Sequence, residues 1–287
     1  MTFSLGDLFW LFFIISALWP MYAKRRLDYA RLSKIREIER LRGTRVVVLV
    51  HRQESLSFLG IPIARYIDIN DSEDLLRVIR LTPPDLPIDI ILHTPGGLVL
   101  ATEQIARALK NHDAKVTAIV PHYAMSGGTM IALAANEIIM DENAVLGPVD
   151  PQLGEYPAAS ILKVLRDKST DEIDDRTLIL ADVARKAMAQ VRAFVADILS
   201  EKFTPDEADR VAGVFAEGHW THDYPITPEQ LRSFGLTVSS EVPREVYELM
   251  ELYPQAPGRR PSVQYIPIPY HREDRPAGGG GGGGTRK

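Results

Sequence analysis

The sequence predicts an α/β domain with a mostly parallel sheet and flanking helices, preceded by one N-terminal transmembrane helix. Short runs rich in Val and Ile alternate with stretches of helical spacing through the middle of the chain. This alternation is typical of parallel strands that are covered by helices on both faces. Two of the predicted strand-to-helix junctions are rich in glycine, and an uncharged apolar stretch lies near the N-terminus.

Residues 8–23 contain no charged side chain, and a membrane-spanning helix needs about 17–25 mostly apolar residues. Trp10, Trp19 and Tyr22 are of the types that favour membrane interfaces. Basic residues follow this stretch and none precedes it, so the positive-inside rule places everything after Lys24 in the cytoplasm. We therefore predict a membrane anchor over residues 1–23, with the lipid bilayer as partner, over a cleaved signal peptide or a buried core helix.

The two segments that flank the folded domain are predicted from composition. Residues 24–43 are rich in Lys and Arg, with apolar residues at helical spacing. They predict a basic juxtamembrane helix that is solvated or lies on anionic headgroups. Residues 254–287 are rich in proline and charge, and seven glycines precede the final Thr-Arg-Lys. We predict that this tail is disordered, because it has too little apolar surface to form a core.

Residues 44–253 are predicted to form the folded domain. Strands are predicted at 46–50, 63–69, 88–92, 116–120 and 137–140. Helices are predicted at 71–79, 98–110, 127–135, 158–166, 178–202, 205–215 and 243–249. Residues 46–50 form an unbroken run rich in β-branched residues, which is typical of a strand buried on both faces.

Composition limits the classes of function. A chain of 287 residues with 45% apolar residues can bury one sizeable α/β core. The net charge of −5 and the lack of any nucleic-acid motif argue against nucleic-acid binding. The sequence contains no cysteine, which excludes disulfides, thiol catalysis and thiolate metal sites. No cofactor is predicted.

Two glycine-rich junctions carry the functional information. Residues 91–97 read Ile-Leu-His-Thr-Pro-Gly-Gly, and residues 122–132 read His-Tyr-Ala-Met-Ser-Gly-Gly-Thr-Met-Ile-Ala. A strand that turns through glycine into a helix exposes backbone N–H groups at the helix start. Two such turns side by side would place a serine hydroxyl near bare amides, which is the arrangement of a nucleophile and an oxyanion hole. Either turn alone could be an ordinary connection, but the pair favours acyl-transfer chemistry.

These two motifs, Thr-Pro-Gly-Gly before a helix and Met-Ser-Gly-Gly-Thr opening an apolar helix, resemble the serine peptidases of the Clp/crotonase fold. Within that group the chain is most similar to signal peptide peptidase A and to the membrane-anchored serine dehydrogenase proteinases. The resemblance runs from about Arg45 to about Tyr253. It implies a membrane-anchored serine endopeptidase that cleaves membrane-associated proteins or peptides. It also implies a homo-oligomer, since peptidases of this fold form rings.

The nucleophile and the oxyanion hole are predicted from the same motifs. Ser126 is the candidate nucleophile, at the start of a helix whose dipole favours developing negative charge; a helix-capping serine is the alternative. The backbone N–H of Gly97, or of its neighbour Gly96, would form the oxyanion hole with that of Gly127. A side chain at Gly97 is expected to obstruct the substrate carbonyl, although a turn that needs positive φ would also explain glycine.

The general base is harder to assign. The segment 146–152, where peptidases related to Clp carry a histidine, contains none here, so a Clp-type Ser-His-Asp triad is not predicted. Similarity to signal peptide peptidase A implies a Ser-Lys dyad, and Lys168, ahead of the helix at 178–202, is preferred over Lys163 and Lys186. Acidic residues at 171, 174 and 175 count against this choice, because they stabilise a charged lysine.

A second route uses His222, which lies in one loop with His219 and Asp223. An Asp-supported His222 could act as base toward Ser126 if the fold brings this loop over the site. The His-x-x-His spacing is weak evidence for a metal, because no further ligand stands at suitable spacing. No metal site is predicted.

Two alternative functions fit the same sequence. A crotonase-fold acyl-CoA enzyme would use the same oxyanion turns without a serine nucleophile. A catalytically silent membrane scaffold would use Ser126 only to cap a helix. Redox chemistry is not predicted, because the sequence has no Gly-x-Gly-x-x-Gly fingerprint.

Overall fold

The computed structural model describes residues 5–51, 57–58, 61–62 and 66–253. The helices in this part are α1 (Leu5–Arg42), α2 (Ile69–Leu81), α3 (Val99–Lys110), α4 (Gly127–Ala134), α5 (Ala158–Asp167), α6 (Asp175–Leu199), α7 (Pro205–Ala216), α8 (Pro228–Ser233) and α9 (Arg244–Glu251). The strands are β1 (Arg45–Val50), β2 (Ser57–Phe58), β3 (Ile61–Pro62), β4 (Ile88–His93), β5 (Val116–Val120), β6 (Tyr123–Ala124), β7 (Glu137–Met140), β8 (Val145–Leu146), β9 (Gln152–Leu153), β10 (Tyr156–Pro157) and β11 (Val238–Ser239). The predicted disordered tail, residues 254–287, lies outside the described residues.

The centre of the domain is a five-stranded sheet in the order β1-β4-β5-β7-β11. Every neighbouring pair in this sheet is parallel, which confirms the predicted α/β class. All residues of β4 and β5 are buried, as expected for strands between two layers of helices. Of the strand predicted at 63–69, residues 63–65 lie outside the described part of the chain. Over residues 66–69 the prediction is wrong, because Ile67 makes a single bridge to Gly97 and α2 already begins at Ile69.

The two faces of the sheet bury two separate cores. Alternate strand residues such as Ile90, Ala118 and Ile138 face the larger core, which α2, α3, α4, α6 and α7 complete. The intervening residues, Ile91 and Ile119 among them, face a smaller core that α1 and α9 complete. This division follows from the two-residue period of a strand.

Helix α1 is continuous through both N-terminal segments that the sequence separates. Its C-terminal part belongs to the domain: Ile38 is buried in the smaller core, and Arg42 donates to the buried carboxylate of Asp89. Part of the basic stretch at 24–43 is therefore packed on the domain, and that part is neither solvated nor available to lie on lipid. The physical reason is that α9 covers only part of the second face of the sheet, and the C-terminal part of α1 packs on the rest.

The N-terminal part of α1 presents its large apolar side chains to the exterior. The exposed ones are Phe9, Trp10, Phe12, Phe13, Ile14, Ile15, Leu18, Trp19, Met21 and Tyr22. Within the residues that the structure describes, no helix is sufficiently long and apolar to span a membrane. The transmembrane helix predicted over residues 8–23 therefore has no support in the structure; the apolar stretch is short, and Lys24, Arg25 and Arg26 follow it directly.

Candidate active site

The two glycine-rich turns meet at the carboxyl edge of β4 and β5. The Met125 N–H donates to the carbonyl of Thr94 at 2.9 Å, and Thr94 pairs with Ala124 in a parallel bridge. A cleft of about 360 Å³ opens beside this junction, and its wall includes residues of both turns. The structure thus brings together the two motifs that the sequence singles out.

Ser126 lies in this cleft in a strained backbone conformation. Its φ is 49° and its ψ is −114°, and it is the one non-glycine residue with positive φ in the described part of the chain. It occupies the N-cap position of α4, yet its side chain makes no capping hydrogen bond. The capping alternative therefore has no support. Strained residues of this kind cluster at active sites, and a serine on a sharp strand-to-helix turn is the geometry of a nucleophile elbow.

Gly96, Gly97 and Gly127 line the same cleft as Ser126. Gly127 is the first residue of α4, where an N–H has no acceptor within the helix. In the described residues, the Gly97 N–H donates to no backbone carbonyl. The Cβ position of Gly96, which has a φ of 106°, would lie 2.8 Å from Cβ of Ser126. The glycines that the sequence predicts for the oxyanion hole thus lie together beside Ser126.

Glycine at 97 has a different cause from the one predicted. A Cβ there would lie 2.2 Å from the carbonyl oxygen of Ile67 and 2.4 Å from its nitrogen. The close approach of the Ile67 backbone therefore requires glycine, and obstruction of a substrate carbonyl is not needed to explain it. At Gly127 the limiting contact is Thr102, whose Oγ1 would lie 2.4 Å from an added Cβ.

His222 also lines the cleft, paired with a buried carboxylate. Its Nδ1 lies 2.8 Å from Oδ1 of Asp150, whose side chain is only 1% exposed. Gln152 donates to the other oxygen of Asp150 at 2.7 Å. With Nδ1–H donating to Asp150, the acceptor nitrogen of the ring is Nε2. This is the tautomer that a histidine needs to act as a base.

Sequence reasoning missed Asp150, because its partner histidine is distant along the chain. The antiparallel bridge between Leu146 and Ile226 holds the two segments together, through hydrogen bonds of 2.8 and 3.0 Å. The available signal was the Asp held between two prolines in the segment 148–151, close to the position where related peptidases place a catalytic residue.

The structure does not bring Lys168 together with Ser126. Lys168 caps the C-terminus of α5, is exposed, and is not among the residues that line the cleft. The other two lysines considered, Lys163 and Lys186, are exposed as well, and Lys186 pairs with Asp182 at 2.5 Å. His219 faces solvent beside Glu217. No cluster of His, Cys, Asp or Glu suited to a metal occurs in the described ranges.

A strained serine at a helix N-terminus and an Asp-bound histidine around one cleft are the features of a hydrolase of the acyl-transfer class. The chain belongs to the family of ClpP-like SDH-type serine proteinases, whose sequence profile matches residues 1–278. The family predicted from the two motifs is therefore confirmed.

Relatives and solved structures resemble the chain to different degrees. It is 55% identical to one uncharacterized protein of Methanocaldococcus jannaschii over 271 residues, which are 94% of this chain and 92% of that protein. It is 53% identical to a second from the same organism over 267 residues, 93% of each. Among solved structures, a mutant of the membrane-bound stomatin-specific protease 1510-N has a TM-score of 0.44 and 21% identity, covering 64% of this chain and 79% of that one. ClpP1 from Listeria monocytogenes has a TM-score of 0.44 and 15% identity, covering 71% and 96%.

Proposed function

We propose that the chain is a serine endopeptidase in which Ser126 is the nucleophile, His222 the general base and Asp150 the residue that orients the base. The observation that carries this proposal is the shared cleft: the strained Ser126 and the Asp150-bound His222 line the same cavity. The three residues come from separate segments, so their convergence is a property of the fold.

The residues support a two-stage reaction. Ser126 Oγ attacks the peptide carbonyl, and its proton passes to Nε2 of His222. The N–H of Gly127 and that of Gly97 hold the oxyanion of the tetrahedral intermediate; the Gly96 N–H already donates to Oγ1 of Thr94. The intermediate collapses as His222 returns the proton to the leaving amine. A water molecule, deprotonated by the same histidine, then hydrolyses the acyl-enzyme and restores Ser126.

His222 is preferred to Lys168 as the base on physical grounds. A lysine acts as a base when its amine is desolvated, and Lys168 is exposed to solvent. A histidine needs only a fixed tautomer and orientation, which the buried Asp150 supplies. In this proposal a catalytic triad of Ser126, Asp150 and His222 replaces the Ser-Lys dyad predicted from the resemblance.

Labelling with a fluorophosphonate probe tests the proposal. The full chain should be labelled on Ser126, identified by peptide mass spectrometry, and Ser126→Ala should not be labelled. An acyl-CoA enzyme without a serine nucleophile, or a silent scaffold, would remain unlabelled in both forms. Absence of labelling in a folded wild-type chain that also cleaves no peptide would rule out the serine peptidase.

We also propose that the exposed apolar part of α1 holds the enzyme at a membrane, with the catalytic domain on the cytoplasmic side and membrane-associated proteins or peptides as substrates. Ten large apolar side chains in solvent favour burial in lipid. Removal of residues 1–23 preserves the contacts of Ile38 and Arg42 with the domain, so the truncated chain should fold. It should leave the membrane fraction, and equal fractionation of both forms would contradict the attachment.

A homo-oligomer completes the proposal, because Clp-like peptidases are assemblies. The exposed Ile179 and Val183 of α6 offer apolar surface for a second copy. Light scattering of the chain lacking residues 1–23 measures the assembly directly, and a fully active monomer would contradict it.

A further inference from the structure

A second Asp–His–hydroxyl chain lies beside the cleft and is not used in the proposed reaction. His51, at the end of β1, has its Nδ1 2.9 Å from Oγ1 of Thr94 and its Nε2 3.3 Å from Oδ2 of Asp71. His51 and Thr94 are both buried. The order carboxylate, imidazole, hydroxyl is the one proposed for Asp150, His222 and Ser126, but this hydroxyl is closed to solvent, so Thr94 is not a nucleophile.

This series of hydrogen bonds, from Asp71 through His51 to Thr94, ends on the turn that supplies the proposed oxyanion donor. The Gly96 N–H donates to Thr94 Oγ1 at 3.2 Å, and the carbonyl of the same Gly96 accepts the Ile67 N–H at 2.8 Å. On the other side of the turn, the Leu98 N–H donates to the Ile67 carbonyl at 2.9 Å. The peptide unit between Gly96 and Gly97 is therefore held by its carbonyl, and the N–H groups of the peptide units on either side of it are held as well. Its orientation sets the direction of the Gly97 N–H.

One assignment of the protons satisfies every member of the chain. Nε2–H of His51 donates to Asp71, the Thr94 hydroxyl donates to Nδ1 of His51, and the Gly96 N–H donates to Thr94 Oγ1. The other acceptor near the Thr94 hydroxyl, the Gly96 carbonyl, is more distant at 3.4 Å. All donors then point the same way, an arrangement in which each hydrogen bond strengthens the next.

Asp71 anchors the outer end of this chain. The same Oδ2 that faces His51 accepts the Asp68 N–H at 2.9 Å, as half of the capping box of α2. The Asp68 carboxylate in turn accepts the Asp71 N–H at 3.1 Å. The chain thus connects the first turn of a rigid helix to the turn between β4 and α3.

We propose that Asp71, His51 and Thr94 are positioning residues that aim the Gly97 N–H at the oxyanion formed on the substrate. This inference rests on the proposed function, since it assigns a task to the turn only if Ser126 attacks a carbonyl. A donor held in place before the reaction stabilises the transition state without reorganisation. Loss of these hydrogen bonds should therefore lower kcat and leave ground-state binding of the substrate nearly unchanged.

Thr94→Val and Thr94→Ser form a matched pair for the test. Val keeps the shape of Thr and removes the hydroxyl, whereas Ser keeps the hydroxyl and removes the methyl that lies against Gly128. For Thr94→Val we expect kcat to fall about 10- to 100-fold with KM within about twofold. For Thr94→Ser we expect kcat within about threefold of wild type. A role in packing alone reverses this order, because Ser then does more harm than Val.

A peptide aldehyde adds a readout of the oxyanion itself. It forms a tetrahedral adduct with the serine whose oxygen occupies the oxyanion hole, so its inhibition constant should rise in Thr94→Val by the factor that kcat falls. If Thr94→Val does not fold, His51→Phe, which removes both ring nitrogens, must show the same loss of kcat. Fluorophosphonate labelling of wild-type Ser126 separates the two proposals: no labelling overturns both, whereas labelling with unchanged kcat in Thr94→Val and His51→Phe overturns the positioning role alone.

Discussion

Nδ1 of His222 and Oδ1 of Asp150 lie 2.8 Å apart, although 72 residues separate them in the chain. The carboxylate is buried and the imidazole reaches the cleft that contains Ser126. A buried carboxylate that binds one ring nitrogen leaves the other nitrogen on the far side of the ring, available to a molecule bound in the cleft. The pair thus converts a solvent-facing loop into a fixed part of the site.

Asp150→Asn and His222→Ala should both reduce peptidase activity strongly. The asparagine favours the wrong tautomer of His222, and we expect a loss of about 10³- to 10⁴-fold in kcat for either variant. Lys168→Ala is the matched control, because it removes an exposed side chain outside the cleft, and it should stay within about twofold of wild type. Full inactivation by Lys168→Ala, with His222→Ala active, would restore the Ser-Lys dyad.

Ser126→Ala and Ser126→Gly should both abolish cleavage but differ in stability. Ala keeps the Cβ atom at a φ of 49° and retains the strain, so its melting temperature should match that of wild type. Gly adopts positive φ readily and should raise the free energy of unfolding by about 1 kcal/mol. Thermal and urea unfolding measure the difference. Equal stability of the two variants would show that the backbone at residue 126 is unstrained.

The fold was more predictable than the site. The runs at 88–92 and 116–120 are mostly apolar and alternate with helical stretches, so they predict strands of a parallel sheet, and the structure confirms them. The local sequence pattern alone predicts that Ser126 and Gly127 lie at the start of a helix. Asp150 was not, since its role depends on the bridge between Leu146 and Ile226, a contact between distant segments that no local pattern encodes. The docking of α1 on the sheet escaped prediction for the same reason.

Lys202 should make stability depend on pH in the alkaline range. Burial lowers its pKa to about 8, and its ammonium donates to the carbonyl of Leu133. Between pH 8 and the unfolded pKa near 10.4, the unfolded chain binds more protons than the folded one, so stability rises with pH. Relative to Lys202→Met, the wild type should gain up to about 3 kcal/mol over this window. Urea unfolding at several pH values measures this, and parallel curves would contradict it.

The ion pair between Arg42 and Asp89 should contribute more to the free energy of unfolding than the other ion pairs made by helix residues. The Asp89 side chain is 1% exposed. Arg42→Met therefore leaves a buried charge whose remaining side-chain partner among the described residues is the Thr44 hydroxyl, 2.9 Å away. We expect a loss of about 3 kcal/mol or more. Arg77→Met, which breaks an exposed pair on α2, should change stability by less than about 0.5 kcal/mol. Equal effects of the two variants would mean that Asp89 is reached by water.

The late position of His222 has a consequence for biosynthesis. A ribosome that adds roughly 5–20 residues per second needs several seconds to pass from Ser126 to the segment that bridges Ile226 to Leu146. During that interval the nascent chain carries the serine and its turn, but not His222, the proposed base. Under the proposed mechanism, hydrolytic power is acquired only after nearly the whole domain has emerged, so half-made copies would not attack their neighbours.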